Sequence, residues 1–322
     1  MILAGDIGGT STRLALVDGD PREPAALEVF HSREHDGLEE MVRAFLESHP
    51  AEVRSACFGV AGPVRDGRCV DTTNLAWPVE GASLARELAL DEVSLLNDLE
   101  ANARGLPALG PDDFAVLNEG ARGATGNAAV VSAGTGLGQA GLWWDGERHH
   151  VFATEGGHAD FAPRNELEEG LRRYLAWELG HVSYERVCSG MGLVNVYRYL
   201  VDRTGMPAAV ELDGAAIAKA ALERSDETCS RALDLMLSIY GAQAGNVALT
   251  LMATGGVYLG GGVPPRVLPR LRESGFMRAF VDKGRFQPLL EQIPVRVILN
   301  DRTALMGAAL CAAGSVPHFI ET

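Results

Sequence analysis

Apolar residues recur along this chain with two alternating periods. Residues 2–7 and 13–18 are apolar or alternating over a strand's length, with Gly8 and Gly9 between them, and predict two strands joined by a tight turn. Leu38, Met41, Val42, Phe45 and Leu46 fall at helical spacing within 38–49, and 55–64 then reads as a buried strand. A short helix over 83–90, capped by Ser83, precedes a strand at 93–98 that ends on Asn97 and Asp98, with a helix after it.

The stretch 105–114, rich in Pro and Gly, marks a lobe boundary. After it the opening pattern restarts with a strand over 128–133, a glycine turn over 134–138 and a strand over 139–144. Helical patterns fill 166–180, 192–204, 213–223 and about 226–252. Residues 255–265 read as strand, glycine turn and helix start, 295–300 as a last strand, and the end as a helix rich in Ala and Gly. Two halves that each begin with a glycine-tipped hairpin predict an α/β protein of duplicated architecture.

Composition narrows the function more than the fold. The 322 residues exceed the usual single-core size, and 47% hydrophobic with 22% charged content is that of a globular protein. No apolar run reaches a membrane span and no signal sequence is read at Met1, so a cytoplasmic location without membrane association is expected. The net charge of −15, with acids dispersed, disfavours nucleic acid as a partner. Lys219 and Lys283 are the two lysines of the chain, so phosphate chemistry must rest on backbone amides, arginine or a divalent cation. The five cysteines lack metal-ligand spacing and read as reduced thiols.

Several nucleotide motifs are excluded by their chemistry. A Walker A loop needs a Gly-Lys pair and a protein kinase needs a strand lysine with an HRD loop, and neither occurs. Gly136, Gly138 and Gly141 form a GxGxxG string, but a strand and a turn follow where a dinucleotide site needs a helix. What fits is a pair of glycine-tipped hairpins facing a cleft, with Thr10, Ser11 and Thr135 adding hydroxyl donors to glycine amides. Asp6 in the first turn is consistent with Mg²⁺ bridging to a nucleotide through water. A third cluster, Gly260-Gly261-Gly262, precedes a helix.

Taken in order, GDIGGTSTRLAL (5–16), TTNLAW (72–77), LLNDLEA (95–101), SAGTGLG (132–138), EGGHADFAP (155–163), GHVSYERVCSGMGL (180–193) and GGVYLGGGVPP (255–265) resemble the bacterial ATP-dependent glucokinases of the hexokinase and actin-like superfamily. The resemblance implies a two-lobed α/β fold, ribonuclease H-like, each lobe a mixed sheet flanked by helices with the active-site cleft between. It implies a small lobe of residues 1–108 plus 299–322 and a large lobe of 109–298. It also implies ATP and Mg²⁺, glucose as substrate, and a homodimer.

The resemblance places Gly5, Asp6, Ile7, Gly8, Gly9, Thr10, Gly134, Thr135, Gly136, Gly260, Gly261 and Gly262 at the nucleotide. Asp98, beside Asn97 at a strand end, is the expected base toward a sugar hydroxyl, since a carboxylate there needs only hydrogen-bond reach. Glu155 and His158 are separated by two glycines that permit a sharp bend, and their side chains suit hydroxyls that both donate and accept. The family pattern puts both on the sugar, with Asn97, Asp98, Glu185 and Asn74. Leu75 and Ala76 depart from the family's element beside Asn74, as do Ser132 and Met191 in their loops. A zinc site on His149, His150, His158 and His181 is not expected, because the cysteine loop of the related ROK kinases is absent and 146–150 reads as a solvated turn. Other hexoses or phosphoryl donors are the alternative substrates, and a non-catalytic sugar sensor the alternative class.

Overall fold

In the computed structural model, which describes residues 1–70, 72, 75–90, 93–204 and 212–314, the chain opens with β1 (Ile2–Ile7) and β2 (Ser11–Val17). These pair antiparallel around the glycine turn, with Ile7 opposite Thr12. Next come β3 (Ala26–His31), α1 (Leu38–Ser48), β4 (Ser55–Val60), the two-residue strands β5 (Arg68–Cys69) and β6 (Val79–Glu80), α2 (Gly81–Leu88), β7 (Ser94–Asn97) and α3 (Asp98–Gly105). A five-stranded sheet in the order β3-β2-β1-β4-β7 results, antiparallel through β3, β2 and β1 and parallel through β1, β4 and β7.

The second series is β8 (Phe114–Asn118), β9 (Ala128–Ala133), β10 (Leu137–Trp144), β11 (His149–Thr154), α4 (Glu166–Leu179), α5 (Gly190–Thr204), α6 (Gly214–Leu222) and α7 (Glu227–Leu251). It continues with β12 (Gly256–Gly260), α8 (Val263–Arg266), α9 (Leu268–Glu273), α10 (Phe276–Val281), α11 (Gln287–Glu291), β13 (Val295–Ile298) and α12 (Thr303–Ala312). The six strands are ordered β11-β10-β9-β12-β13-β8. Apart from β8, added antiparallel at the edge, this repeats the plan of the first sheet: third, second, first, fourth and fifth strand, the last three parallel. The duplication read from the glycine turns is therefore present in the strand order.

The chain divides into two compact units. One holds Met1–Asp113, Leu142–Ala153 and the residues from Asn300 to the last described; the other holds Phe114–Gly141 and Thr154–Leu299. In the first, β1 and β2 send large side chains to one face and small ones to the other, as strand alternation requires. Leu3, Ile7, Leu14 and Leu16 pack with Met41, Val42 and Phe45 of α1, while Ala4, Ala15 and Cys57 meet Leu305, Ala308 and Ala309 of α12. Each fully buried Leu or Phe there is worth about 1.5–3 kcal/mol. α12 also lies against α3 at backbone contact: a Cβ at Gly307 would overlap the Ala101 carbonyl, and one at Gly105 the Thr303 carbonyl. The second unit is centred on α7, whose buried Tyr240 hydroxyl donates to the Val131 carbonyl of β9 at 2.7 Å.

Four local expectations are corrected. α2 starts at Gly81 with Glu80 as its N-cap, so Ser83 is inside the helix, because the β5–β6 ladder delivers the chain directly into it. The strand before Asp98 ends at Asn97 and Asp98 is helical, since the Asn97 side chain caps α3 by accepting from the Leu99 N–H at 2.9 Å. The second glycine turn is shorter, β10 starting at Leu137. His149 is not in a solvated turn: it opens β11, buried, with its ring 4.7 Å from that of Trp144. All five cysteines are free thiols, as expected.

Candidate active site

In the first unit the β1–β2 turn is closed by the Gly8 N–H donating to the Ser11 carbonyl at 3.0 Å. It is held from behind by Ser32, whose buried hydroxyl donates to the Gly8 carbonyl at 2.6 Å and lies 3.0 Å from Thr12 Oγ1. Gly8 and Gly9 are half-buried and Thr10 is exposed, so this rim is accessible. Gly5 and Ile7 do different work. Gly5 is buried in β1 where a Cβ would overlap the Phe58 ring, and the Ile7 side chain is in the core.

Asp6 projects beside the turn with Arg13 Nη1 3.7 Å from its Oδ2. Arg13 in turn binds Asp301, with Nη2 2.6 Å from Oδ2 and Nη1 2.6 Å from the backbone carbonyl. Burial pushes the Asp6 carboxyl up to about 6; Arg13 opposes the rise and Asp301 adds to it. Arg13 and Asp301 were not anticipated as site residues. Two signals were available: a lone arginine opening an apolar strand, and the string Ile298-Leu299-Asn300-Asp301, which repeats Leu95-Leu96-Asn97-Asp98. The repeat is structural as well. Asn300 accepts from the Arg302 N–H at 2.9 Å as Asn97 does from Leu99, and each asparagine stands between a fifth strand and the helix that follows.

Asp98 is the first residue of α3, where the helix end favours a negative side chain. Asn97 secures it: beyond capping, its Nδ2 donates to the Gly62 carbonyl at 2.9 Å. Gly59 of β4 keeps the approach close, with Ala101 Cβ inside the volume a side chain there would need and the Asp98 Cα 4.0 Å away.

In the second unit the Gly134–Gly136 turn between β9 and β10 is closed by the Gly134 N–H donating to the Gly136 carbonyl at 2.9 Å. Thr135 is exposed at its tip. The third glycine cluster is its neighbour: Gly261, at φ +81°, backs onto the Ala133 carbonyl, and Gly260 lies beside Ser132. The helix after that cluster, α8, is a single turn.

The acidic set gathers next to the second turn. Glu185 Oε2 accepts from the Leu137 N–H at 3.1 Å, and a Cβ on Gly136 would overlap that carboxylate. His158 stands between two acids, Nε2 3.9 Å from Glu155 Oε2 and Nδ1 3.9 Å from Glu185 Oε1. Glu155 and His158 flank the turn Gly156–Gly157, which lies tight on β10 because a Cβ on Gly157 would overlap the Leu137 carbonyl. The Tyr184 N–H, donating to the Ala159 carbonyl at 3.0 Å, ties the two acidic turns together. Glu185 is half-buried; Glu155 and His158 are exposed, as a ligand set for hydroxyls must be. His181 is not part of it and binds Asp160 at 2.9 Å. Asn74 lies outside the described residues.

A family model described as Glucokinase matches residues 3–315. The chain belongs to the glucokinase family. Within it, the glucokinase of a Nostoc species is 42% identical over 339 residues, covering 97% of this chain and 99% of the relative. The crystal structure of a glucokinase from an Antarctic psychrotroph is similar with a TM-score of 0.85 and 33% identity, covering 98% of this chain and 99% of that one. A ROK family glucokinase from Streptomyces griseus, crystallised with glucose and AMPPNP, shares the fold alone, with a TM-score of 0.68 and 23% identity over 98% and 99% of the two chains. The mixed α/β architecture with two helix-flanked sheets is thus that of the glucokinase family, as the motifs implied.

Proposed function

We propose that this chain is an ATP:D-glucose 6-phosphotransferase. The observation that carries the reading is the Glu155–His158–Glu185 set, mounted on the same β10 start that closes a glycine turn. Family membership supports the sugar and the nucleotide. Glu155, His158 and Glu185 hold the sugar hydroxyls, while the amides of Gly8, Gly9, Gly134 and Gly136 with the hydroxyls of Thr10 and Thr135 take up the phosphates. Asp98 accepts the proton of the sugar 6-hydroxyl as its oxygen attacks the terminal phosphorus and ADP departs.

The residues present fit a hydrated divalent cation better than a protein-ligated one. Asp6 is a carboxylate whose charge is poorly compensated, and no cluster of three His, Cys, Asp or Glu side chains suited to a metal occurs among the described residues. Asp6 would hold such a cation through its hydration shell. When bound, Mg²⁺ supplies charge neutralisation on the transferring phosphates. No helix among the described residues is long and apolar enough to cross a membrane. A cytoplasmic homodimer is part of this reading on the strength of the family resemblance, and a monomer mass by light scattering removes the dimer.

The experiment is a coupled assay of ADP formation with glucose, ATP and Mg²⁺, on the wild type and Asp98→Ala. Glucose-dependent turnover that collapses in the variant is expected. Wild-type turnover in the variant removes Asp98 as the base, and absence of glucose-dependent ADP release removes the activity.

A further inference from the structure

Gln139 is the covered polar side chain of β10, and one of its polar atoms is left without a partner among the described residues. It is 5% exposed, and its Nε2 is buried with no hydrogen-bond partner among the described residues. An amide that deep normally has its donors taken, and an apolar side chain of the same length would fill the space without leaving a donor unpaired. Its surroundings say what the amide is near. Gln139 Oε1 occupies the place a Cβ on Gly156 would need, and its Cδ is 3.2 Å from that point.

The backbone of the same residue reaches the same turn. The Gln139 carbonyl accepts from Thr154 Oγ1 at 3.2 Å, and that hydroxyl accepts from the Gly156 N–H at 3.3 Å. Two residues earlier on β10, the Leu137 carbonyl lies under Gly157 and the Leu137 N–H holds Glu185. One strand therefore supports all three acid and imidazole groups. Leu137 fixes Glu185 directly, and Gln139 underlies the turn whose two ends are Glu155 and His158.

From this we infer that Gln139 is a positioning residue for the hexose site: its side-chain amide braces the Gly156–Gly157 turn, and its spare donor is taken up when Glu155 and His158 close on sugar hydroxyls. The inference rests on the reading of Glu155, His158 and Glu185 as sugar ligands. It assigns to Gln139 an effect on sugar binding and none on the nucleotide. A donor satisfied only in the sugar complex also opposes the stability of the free protein, so the amide is maintained by ligand binding rather than by folding.

The test uses Gln139→Leu in the full chain, with Gln139→Met as a second apolar variant of similar length should the first fail to fold. Steady-state rates give KM for glucose and for ATP, and thermal melting is recorded with and without glucose. Expected are a glucose KM raised five- to twentyfold, an ATP KM within twofold of wild type, a smaller fractional change in kcat, and a glucose-free melting temperature equal to or above wild type. The glucose-induced rise in melting temperature shrinks in parallel. A glucose KM and glucose-induced melting shift within twofold of wild type overturn the proposal. So does a variant with a lowered glucose-free melting temperature and both KM values raised together, the mark of a packing role. Glu155→Ala, measured alongside, separates the two readings. If it raises the glucose KM and the Gln139 variants do not, the positioning role alone is lost. If Glu155→Ala leaves the glucose KM unchanged, the sugar-ligand reading fails, and a Gln139 effect without one from Glu155 overturns the route through the turn.

Discussion

Arg13 grips Asp301 twice, its Nη2 on the carboxylate and its Nη1 on the backbone carbonyl, both at 2.6 Å, across 288 residues of sequence. Because the same guanidinium stands 3.7 Å from Asp6, one cation serves two acids. Arg13 is what restrains the rise of the Asp6 carboxyl toward 6, so Arg13→Ala raises it further. If ionised Asp6 is the form that holds the hydrated cation, the acid limb of kcat/KM for ATP lies near pH 6 in the wild type. In Arg13→Ala that limb is expected at higher pH, because the cation that opposes the rise is gone. Profiles from pH 5 to 9 read it directly, and an unmoved limb separates Asp6 from the nucleotide step.

Asp6 also ties activity to stability. Its folded value, about 6, is above the ordinary aspartate value of 3.8, so the folded protein binds the proton more tightly than the unfolded chain does. The stability this contributes is complete below about pH 4 and lost as pH rises through 6, leaving the ionised form at pH 8 a burden of about 1–3 kcal/mol. Asp6→Asn is therefore expected to raise the urea midpoint at pH 8, to leave it nearly unchanged at pH 4, and to lower kcat. A midpoint that falls at pH 8 contradicts the assignment of burial as the dominant cause.

Much of this was legible in the sequence where local chemistry decides the structure. The glycine turns, α1 and the long α7 follow from spacing and turn residues, and Glu155, His158 and Glu185 from motif order. β3 was not legible because it is an edge strand that turns its apolar residues outward: Leu27 and Val29 are 40% and 55% exposed, while Glu28 is half-buried. β8, another strand not read from the sequence, is likewise an edge, with Val116 facing outward. Arg13 and Asp301 escaped for another reason. Their pairing depends on α12 returning to β1; grouping 299–322 with 1–108 implied that return, but the pair itself was hinted at by the Asn-Asp string repeated at the end of each fifth strand. Gln139 was hidden altogether, since a glutamine in a strand gives no sign of which atoms it will leave unpaired.

Asn97 and Asp98 are adjacent yet separable by experiment. Asn97→Ala removes the α3 cap and the bond to Gly62, and is expected to cost about 1–2 kcal/mol in urea unfolding. Asp98→Asn leaves the cap in place and is expected to cost no more than the about 0.3–1 kcal/mol of its charge at the helix end, while kcat falls about 10²- to 10⁴-fold. Equal losses of stability in the two variants place Asp98 in the helix end rather than in the chemistry.

The crossing of α3 and α12 gives a prediction whose sign separates tertiary packing from helix propensity. Taken as helix residues, Gly105 and Gly307 replaced by alanine gain about 0.5–1 kcal/mol each. In place, each new methyl meets a carbonyl of the opposite helix, Thr303 for Gly105 and Ala101 for Gly307, and backbone cannot swing aside as a side chain can. The helices must part, at a cost of about 1–3 kcal/mol. Gly307→Ala is therefore expected to lower the urea midpoint. Because Ala101 is one turn from Asp98, the displacement is expected to reach the start of α3 and lower kcat, while the KM for glucose, assigned in the proposed function to Glu155, His158 and Glu185, moves little. Gly307→Ala with a raised midpoint and unchanged kcat shows that α3 and α12 tolerate separation and that the small residues of the closing helix are not what seats Asp98.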